Sequence, residues 1–206
     1  MTDILPLMQQ TQQELLIISP YFVPTKRGYT LFSNLAKDGK RVAVLTNSLA
    51  ATDVVPVHSG YAKYRTPLLE SGVSIFELKP MATVIIQKNR GSMIKRSGSS
   101  LHAKTFIIDN KTLFIGSFNI DPRSARLNTE MGFVVDSPKL ASYLADNMKK
   151  NQMQYSYAVS LTSQGKLHWE TKEHNQLVAY DDEPHSSFWS RVGVWICSLL
   201  PIEWLL

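Results

Sequence analysis

"LHAKTFIIDNKTLFIGSFN", residues 101–119, decides the reading of this chain. Residues 101–108 and 112–118 read as strands, and Asp109–Lys111 between them reads as a hairpin turn. Side chains alternate across a strand, so His102, Lys104, Phe106 and Ile108 are expected on one face. Near a sheet's end, an imidazole and an ammonium so placed suit one small anion. Histidine attacks as a nucleophile or moves a proton near neutral pH, and lysine holds positive charge where phosphoryl oxygens gain negative charge. Gly116 lets a neighbouring strand come close, and Ser117 and Asn119 add hydrogen-bond donors. Taken alone, His-x-Lys also describes an exposed pair on the polar face of an edge strand.

Working outward, ELLIISPYFV (14–23) is expected as a buried strand stopped by Pro20 and Pro24, after a helix over 3–13. A helix over 25–38, a strand over 41–48, a helix over 55–70 and a strand over 73–79 follow with short connections. This rhythm predicts an α/β fold, a mixed and mainly parallel sheet flanked by helices. Residues 88–100 place Lys88, Arg90, Lys95 and Arg96 among Gly and Ser and read as a basic loop. Beyond the hairpin, 130–136 is a strand, and Ser137-Pro138 opens a helix over 138–152. Short strands around Gly165 and a C-terminal helix complete the chain.

Composition narrows the class. Of 206 residues, 44% are hydrophobic and 19% charged, which suits a globular chain with one sizeable core. The excess of basic over acidic residues, 22 − 17 = +5, suits a phosphate-bearing partner, nucleic acid or anionic membrane. Cys197 is the only cysteine, so no internal disulfide forms, and no Cys/His cluster has metal-ligand spacing. The N-terminus lacks a basic stretch followed by an apolar core, and no apolar run reaches the ~18 residues of a spanning helix. The C-terminal segment 188–206 carries only Arg191 and Glu203 as charges. It reads either as a helix docked on the core or as a membrane-contacting tail with Trp189, Trp195 and Trp204. His168, His174 and His185 lie in polar stretches and are expected at the surface, whereas His58 and Tyr61 are expected to pack.

The full spacing His102-x-Lys104-x4-Asp109-x6-Gly116-Ser117 resembles the HKD motif of the phospholipase D superfamily. Asn119, Arg123, Ser124, Asn128 and Glu130 stand where that family keeps similar residues. "LLIISPYFVPT" near the start and "LLPIEWLL" at the end resemble the C-terminal half of bacterial cardiolipin synthases, nearest the class C type. The resemblance implies a metal- and cofactor-independent phosphodiester transfer on phospholipids through a phosphohistidine, on the cytoplasmic side of a bacterial inner membrane. It makes His102 the catalytic histidine and Lys104 the phosphate clamp, with Ser117 and Asn119 as phosphate or orienting contacts. Glu130 is the candidate to accept from a catalytic ring nitrogen. Asp109 completes the motif, but an odd number of residues separates it from His102. Its side chain is expected to point away from the phosphorus, in a structural role.

Relatives of that type carry two HKD motifs per chain, and here there is one. Three arrangements follow: half of a longer two-motif protein, a subunit completed by a second copy of itself, or an inactive remnant. In the first two, a second HKD half and a phospholipid are the partners, with peripheral membrane contact. Under a single-motif nuclease reading, nucleic acid would take the phospholipid's place.

Overall fold

The structure is a computed structural model that describes residues 4–80, 101–174 and 176–200. At its centre lies β1 (Glu14–Ile18), buried over its first four residues. β2 (Arg41–Asn47) and β3 (Ser74–Leu78) extend the sheet, β2 parallel to β1 and β3 parallel to β2. α1 (Leu5–Gln9) precedes them, and α2 (Thr25–Lys37) and α3 (Val55–Glu70) form the two crossovers that parallel pairing requires.

Outside this trio the pairing reverses. β4 (Lys104–Ile108) runs antiparallel to β1, β5 (Thr112–Gly116) to β4, and β6 (Gly132–Asp136) to β5. On the other flank β7 (Ser156–Leu161) is antiparallel to β3, followed by β8 (Leu167–Glu173) and β9 (Gln176–Tyr180). The order across nine strands is β6-β5-β4-β1-β2-β3-β7-β8-β9. The mixed α/β class holds, but parallel pairing is confined to β1–β2–β3, narrower than the predicted mainly parallel sheet. Among neighbouring strands, only these are joined by helical crossovers. β4–β5, β7–β8 and β8–β9 are joined by short turns, which can only reverse the chain. In the first of these turns Asp109 and Asn110 both take positive φ (53° and 51°), the geometry of a type I′ hairpin turn.

Helices cover both faces because β1 alternates its side chains. Leu15 and Ile17 join Phe32, Val44, Tyr61, Leu68 and Phe106 on the face covered by α1–α3. Leu16 joins Ile107 and Leu113 beneath Ala141 and Ala145 of α5 (Pro138–Tyr155) on the other. Each fully buried side chain of this kind stabilises the fold by about 1.5–3 kcal/mol. The short α4 (Pro122–Arg126) lies between β5 and β6 and is N-capped by Asp121, whose carboxylate accepts from Ser124 N at 2.7 Å. Ser137 caps α5 as expected, accepting from Leu140 N at 3.4 Å.

α6 (Phe188–Leu199) packs on α3, with the place of a Gly193 Cβ only 3.6 Å from Val55 Cγ1. None of its residues is buried, although it carries a single charge. The basic stretch 88–100 and residues 201–206, with Trp204, lie outside the described residues.

Candidate active site

The β4 ladder ends at Lys104, which pairs with Gly116, while β1 reaches only Thr105, opposite Ile18. Residues 101–103 therefore run beyond the sheet, and His102 lies outside the strand that was expected to carry it. Lys104, Phe106 and Ile108 keep the expected shared face and are buried. The His102 ring is exposed and Lys104 reaches back to it. The ammonium lies 3.3 Å from both ring nitrogens and donates to the His102 carbonyl at 3.0 Å. Lys104 is only 8% exposed, and this burial pulls its pKa below that of an ordinary lysine, against the opposing fields of Glu130, Asp121 and Asp53.

On the neighbouring strand, Gly116 pairs with Gly132 of β6. A Cβ built there would lie 2.3 Å from the Met131 carbonyl and 2.6 Å from Gly132 Cα, so no side chain fits. The approach lets Ser117 N donate to Met131 O at 2.8 Å and Met131 N donate to Ser117 Oγ at 3.0 Å. Ser117 Oγ in turn donates to Glu130 Oε2. The other Glu130 oxygen accepts from Ser124 Oγ and Asn128 Nδ2, each at 3.0 Å. Burial works to raise the Glu130 pKa, but the Ser117, Asn128 and Ser124 donors and the Lys104 charge outweigh it and hold the carboxyl below its usual range. Glu130 was expected to receive a catalytic ring nitrogen. Within this chain its oxygens accept from serine and asparagine donors, and the His102 nitrogens lie against Lys104.

Asn119 is 8% exposed, and its Oδ1 is buried without a hydrogen-bond partner among the described residues. Such an atom is uncommon in a folded interior. Its backbone N–H donates to Ser124 Oγ at 3.2 Å, and the next residue, Ile120, is clasped by Ser19 Oγ at 3.1 Å. Tyr21 and Asp53 stand in loops following β1 and β2, joined by a 2.9 Å hydrogen bond. Burial, then Asp53 and Asp121, push the Tyr21 hydroxyl up to about 12.

Asp109 is not part of this cluster. At the far end of β4 its carboxylate accepts from the backbone N–H groups of Gln12 (2.9 Å), Gln13 (2.7 Å) and Glu14 (2.9 Å). It fastens the start of β1 to the β4–β5 turn. His58 and Tyr61 are buried in a polar network described below, and His168 pairs with Asp181 at 2.8 Å. Ser124 and Asn128 entered the sequence reading only through resemblance; their part in holding Glu130 depends on the loop around α4, which no periodicity marks.

A family model described as "Cardiolipin synthase, PLD-like domain" matches residues 4–152. The chain belongs to the phospholipase D-like family. It is 44% identical over 200 residues to Cardiolipin synthase C of Escherichia coli (strain K12), an alignment covering 97% of this chain and 42% of that protein. Cardiolipin synthase A of Proteus mirabilis (strain HI4320) is 27% identical over 161 residues, 78% of this chain and 28% of that one. The chain spans less than half the length of these curated relatives. Among solved structures, the phospholipase D family member Nuc from Salmonella typhimurium superposes with a TM-score of 0.58 at 16% identity. That match covers 76% of this chain and 88% of Nuc. Phosphatidylserine synthase of Haemophilus influenzae Rd KW20 gives a TM-score of 0.53 at 19% identity, over 75% of this chain and 35% of that one. The family's fold is thus the fold described above, and β7–β9 and α6 lie wholly beyond the matched residues 4–152.

Proposed function

We propose that this chain supplies one half of a metal-independent active site that transfers a phosphatidyl group between phospholipid alcohols, as a single HKD half-domain over 1–206. The observation that carries the reading is the exposed His102 ring with the buried Lys104 ammonium 3.3 Å from both its nitrogens, in a chain 44% identical to a cardiolipin synthase. In the first step a histidine nitrogen attacks phosphorus and the bond to the leaving alcohol breaks. A second histidine gives that alcohol its proton. In the second step the acceptor alcohol passes its proton to the same second histidine and attacks phosphorus, and the phosphorus–nitrogen bond breaks. Lys104 fixes positive charge where the phosphoryl oxygens become more negative, and Ser117 and Asn119 orient them. His102 is one of the two histidines.

The second imidazole comes from another HKD half, either the remainder of a longer protein or a second copy of this chain. Met131, bonded through its backbone to Ser117, and Phe133 two residues on are exposed, and they support this face as the place where that half docks. Peripheral membrane contact, on the cytoplasmic side, belongs to the same reading. Phe188, Trp195 and Leu199, with Trp189 and Ile196, recur at seven- and four-residue intervals and form one outward apolar stripe on α6, which Leu200 extends past its end. Two tryptophans in such a stripe suit the headgroup level of a bilayer. Among the described residues no helix is long and apolar enough to cross one.

The test is turnover of mixed phosphatidylglycerol and phosphatidylethanolamine vesicles by the chain assembled with a second HKD half. His102→Ala is expected to abolish transfer and Lys104→Ala to lower it at least ~100-fold, both with native circular dichroism. More than a tenth of wild-type turnover in His102→Ala would overturn the proposal.

A further inference from the structure

His102 has no ladder partner to hold its backbone, yet the reaction proposed above needs its ring at a fixed position. The residues that anchor it come from the carboxyl ends of the parallel strands. Asn47, the last residue of β2, is 2% exposed. Its Oδ1 accepts from the backbone N–H of Leu101, immediately before His102, at 2.8 Å. Its Nδ2 donates to the carbonyl of Pro20 in the loop after β1, at 3.4 Å, where Thr46 Oγ1 also donates at 3.3 Å. The two partners fix the orientation of the amide, because an N–H needs an acceptor and a carbonyl needs a donor.

This requirement is narrow. Aspartate would keep an acceptor for Leu101 but turn a carboxylate oxygen towards the Pro20 carbonyl. Leucine would satisfy neither and leave two buried backbone groups unpaired. Alanine would remove both contacts and leave a gap. Only a short primary amide joins all three segments: the end of β2, the loop after β1 and the approach to His102.

A parallel clasp lies one strand away. Ser19, next after β1, donates to Tyr21 O at 2.6 Å and accepts from Ile120 N at 3.1 Å, beside Asn119. Buried polar side chains at the carboxyl ends of adjacent strands thus seize the chain next to His102 and next to Asn119. Such a clasp is needed where the sheet itself supplies no hydrogen bonds. On the His102 side Lys104 adds a second tether by donating to the His102 carbonyl at 3.0 Å.

We infer that Asn47 is a positioning residue for His102, acting through the Leu101 backbone and touching no reacting atom. The inference rests on the reading of His102 as catalytic, but its test has one arm that does not. Ring-carbon NMR of the intact chain resolves its five histidines, with His102 identified by the signal missing from His102→Gln. In Asn47→Ala the His102 signal is expected to broaden or shift, while those of His168, His174 and His185 stay in place. In the assembled enzyme, Asn47→Ala is expected to lower kcat about 10–100-fold with KM within about twofold, because a displacement of about 1 Å costs rate rather than binding. Asn47→Asp, which retains the Leu101 contact, is expected to lose less than Asn47→Ala. An unmoved His102 signal in folded Asn47→Ala overturns the inference whatever the rate. So does failure of both variants to fold, since Asn47 would then act only on stability. Retained turnover in His102→Ala would instead bring down the catalytic reading and leave the ring signal to judge the positioning.

Discussion

Arg65 of α3 donates to Glu183 at 2.5 Å, across 118 residues of chain, and ties the loop before α6 to the helix beside the parallel strands. The same guanidinium donates to Glu77 of β3 at 2.8 Å, and Tyr61 OH and Trp169 Nε1 complete the Glu77 carboxylate at 2.7 and 2.9 Å. Removing Arg65 would leave two carboxylates facing each other with little water. Arg65→Met is therefore expected to destabilise the chain by roughly 3–5 kcal/mol, read as a lower urea midpoint. An unchanged midpoint would mean that the network contributes little.

Glu183 gives this network a pH signature. Burial works to raise its pKa, but Arg65 and His58 outweigh it and hold the carboxyl at about 2. A depressed carboxyl pKa contributes stability above its unfolded value, near 4.3, and loses it as pH falls towards the folded value. The stability difference between wild type and Glu183→Gln should thus be full at pH 6, roughly 3 kcal/mol at most, and shrink between about pH 4.5 and pH 2. Urea titrations at three pH values check it, and a constant difference would contradict it.

Asp109 predicts a separation of stability from chemistry. Burial alone would raise its pKa, yet the N–H groups of Glu14, Gln12 and Gln13, with Lys40, draw it below the usual range. Asp109→Ala frees those three backbone groups at the far end of β4 and should cost about 2–4 kcal/mol. The His102 NMR signal should not move. A shifted His102 signal with an unchanged melting temperature would assign Asp109 to the site after all.

Gly132 faces Phe114 so closely that a Cβ would fall 2.2 Å from its Cζ, and Gly116 is closed off by backbone. Gly132→Ala can be relieved only by turning the Phe114 ring, and Gly116→Ala only by parting β5 from β6. Gly116→Ala is expected to be the more damaging, by roughly 2 kcal/mol or more, because a backbone clash has no rotamer to escape into. Equal melting temperatures for the two variants would refute the ordering.

The α6 stripe is tested by co-sedimentation with anionic vesicles. The intact chain is expected to bind, and a chain ending at Ser187 to bind far less while keeping the circular dichroism of its sheet. Replacing exposed Trp189 and Trp195 together by serine should weaken binding without lowering the melting temperature. Equal binding by all three forms would place any membrane contact elsewhere.

How much of this was legible depends on the range over which each feature is encoded. β1, β2 and β3 announce themselves through apolar runs bounded by Pro, Gly and helical segments, all local signals. The HKD spacing marks His102, Lys104, Ser117 and Asn119 because their pattern is close-set. The offset of His102 from the ladder was not legible, since it depends on where β1 and β5 stop, and those ends are set by other segments. Arg65 and Glu183 could not be paired from sequence either: a buried ion pair 118 residues apart leaves no periodic trace. Nor could the parallel share of the sheet be read, because alternation does not encode strand direction.

α5 carries the chain from β6, at one rim of the sheet, across five intervening strands to β7 alongside β3. Until the last quarter of the chain has been synthesised, β3 has no neighbour on that side among the described strands, and Ile75 and Glu77 lack the cover of Val159 and Tyr157. A nascent chain, or a fragment cut at the boundary of the family match after Gln152, would present a bare strand edge able to recruit another β3. The C-terminal hairpins thus guard the young sheet against its own kind.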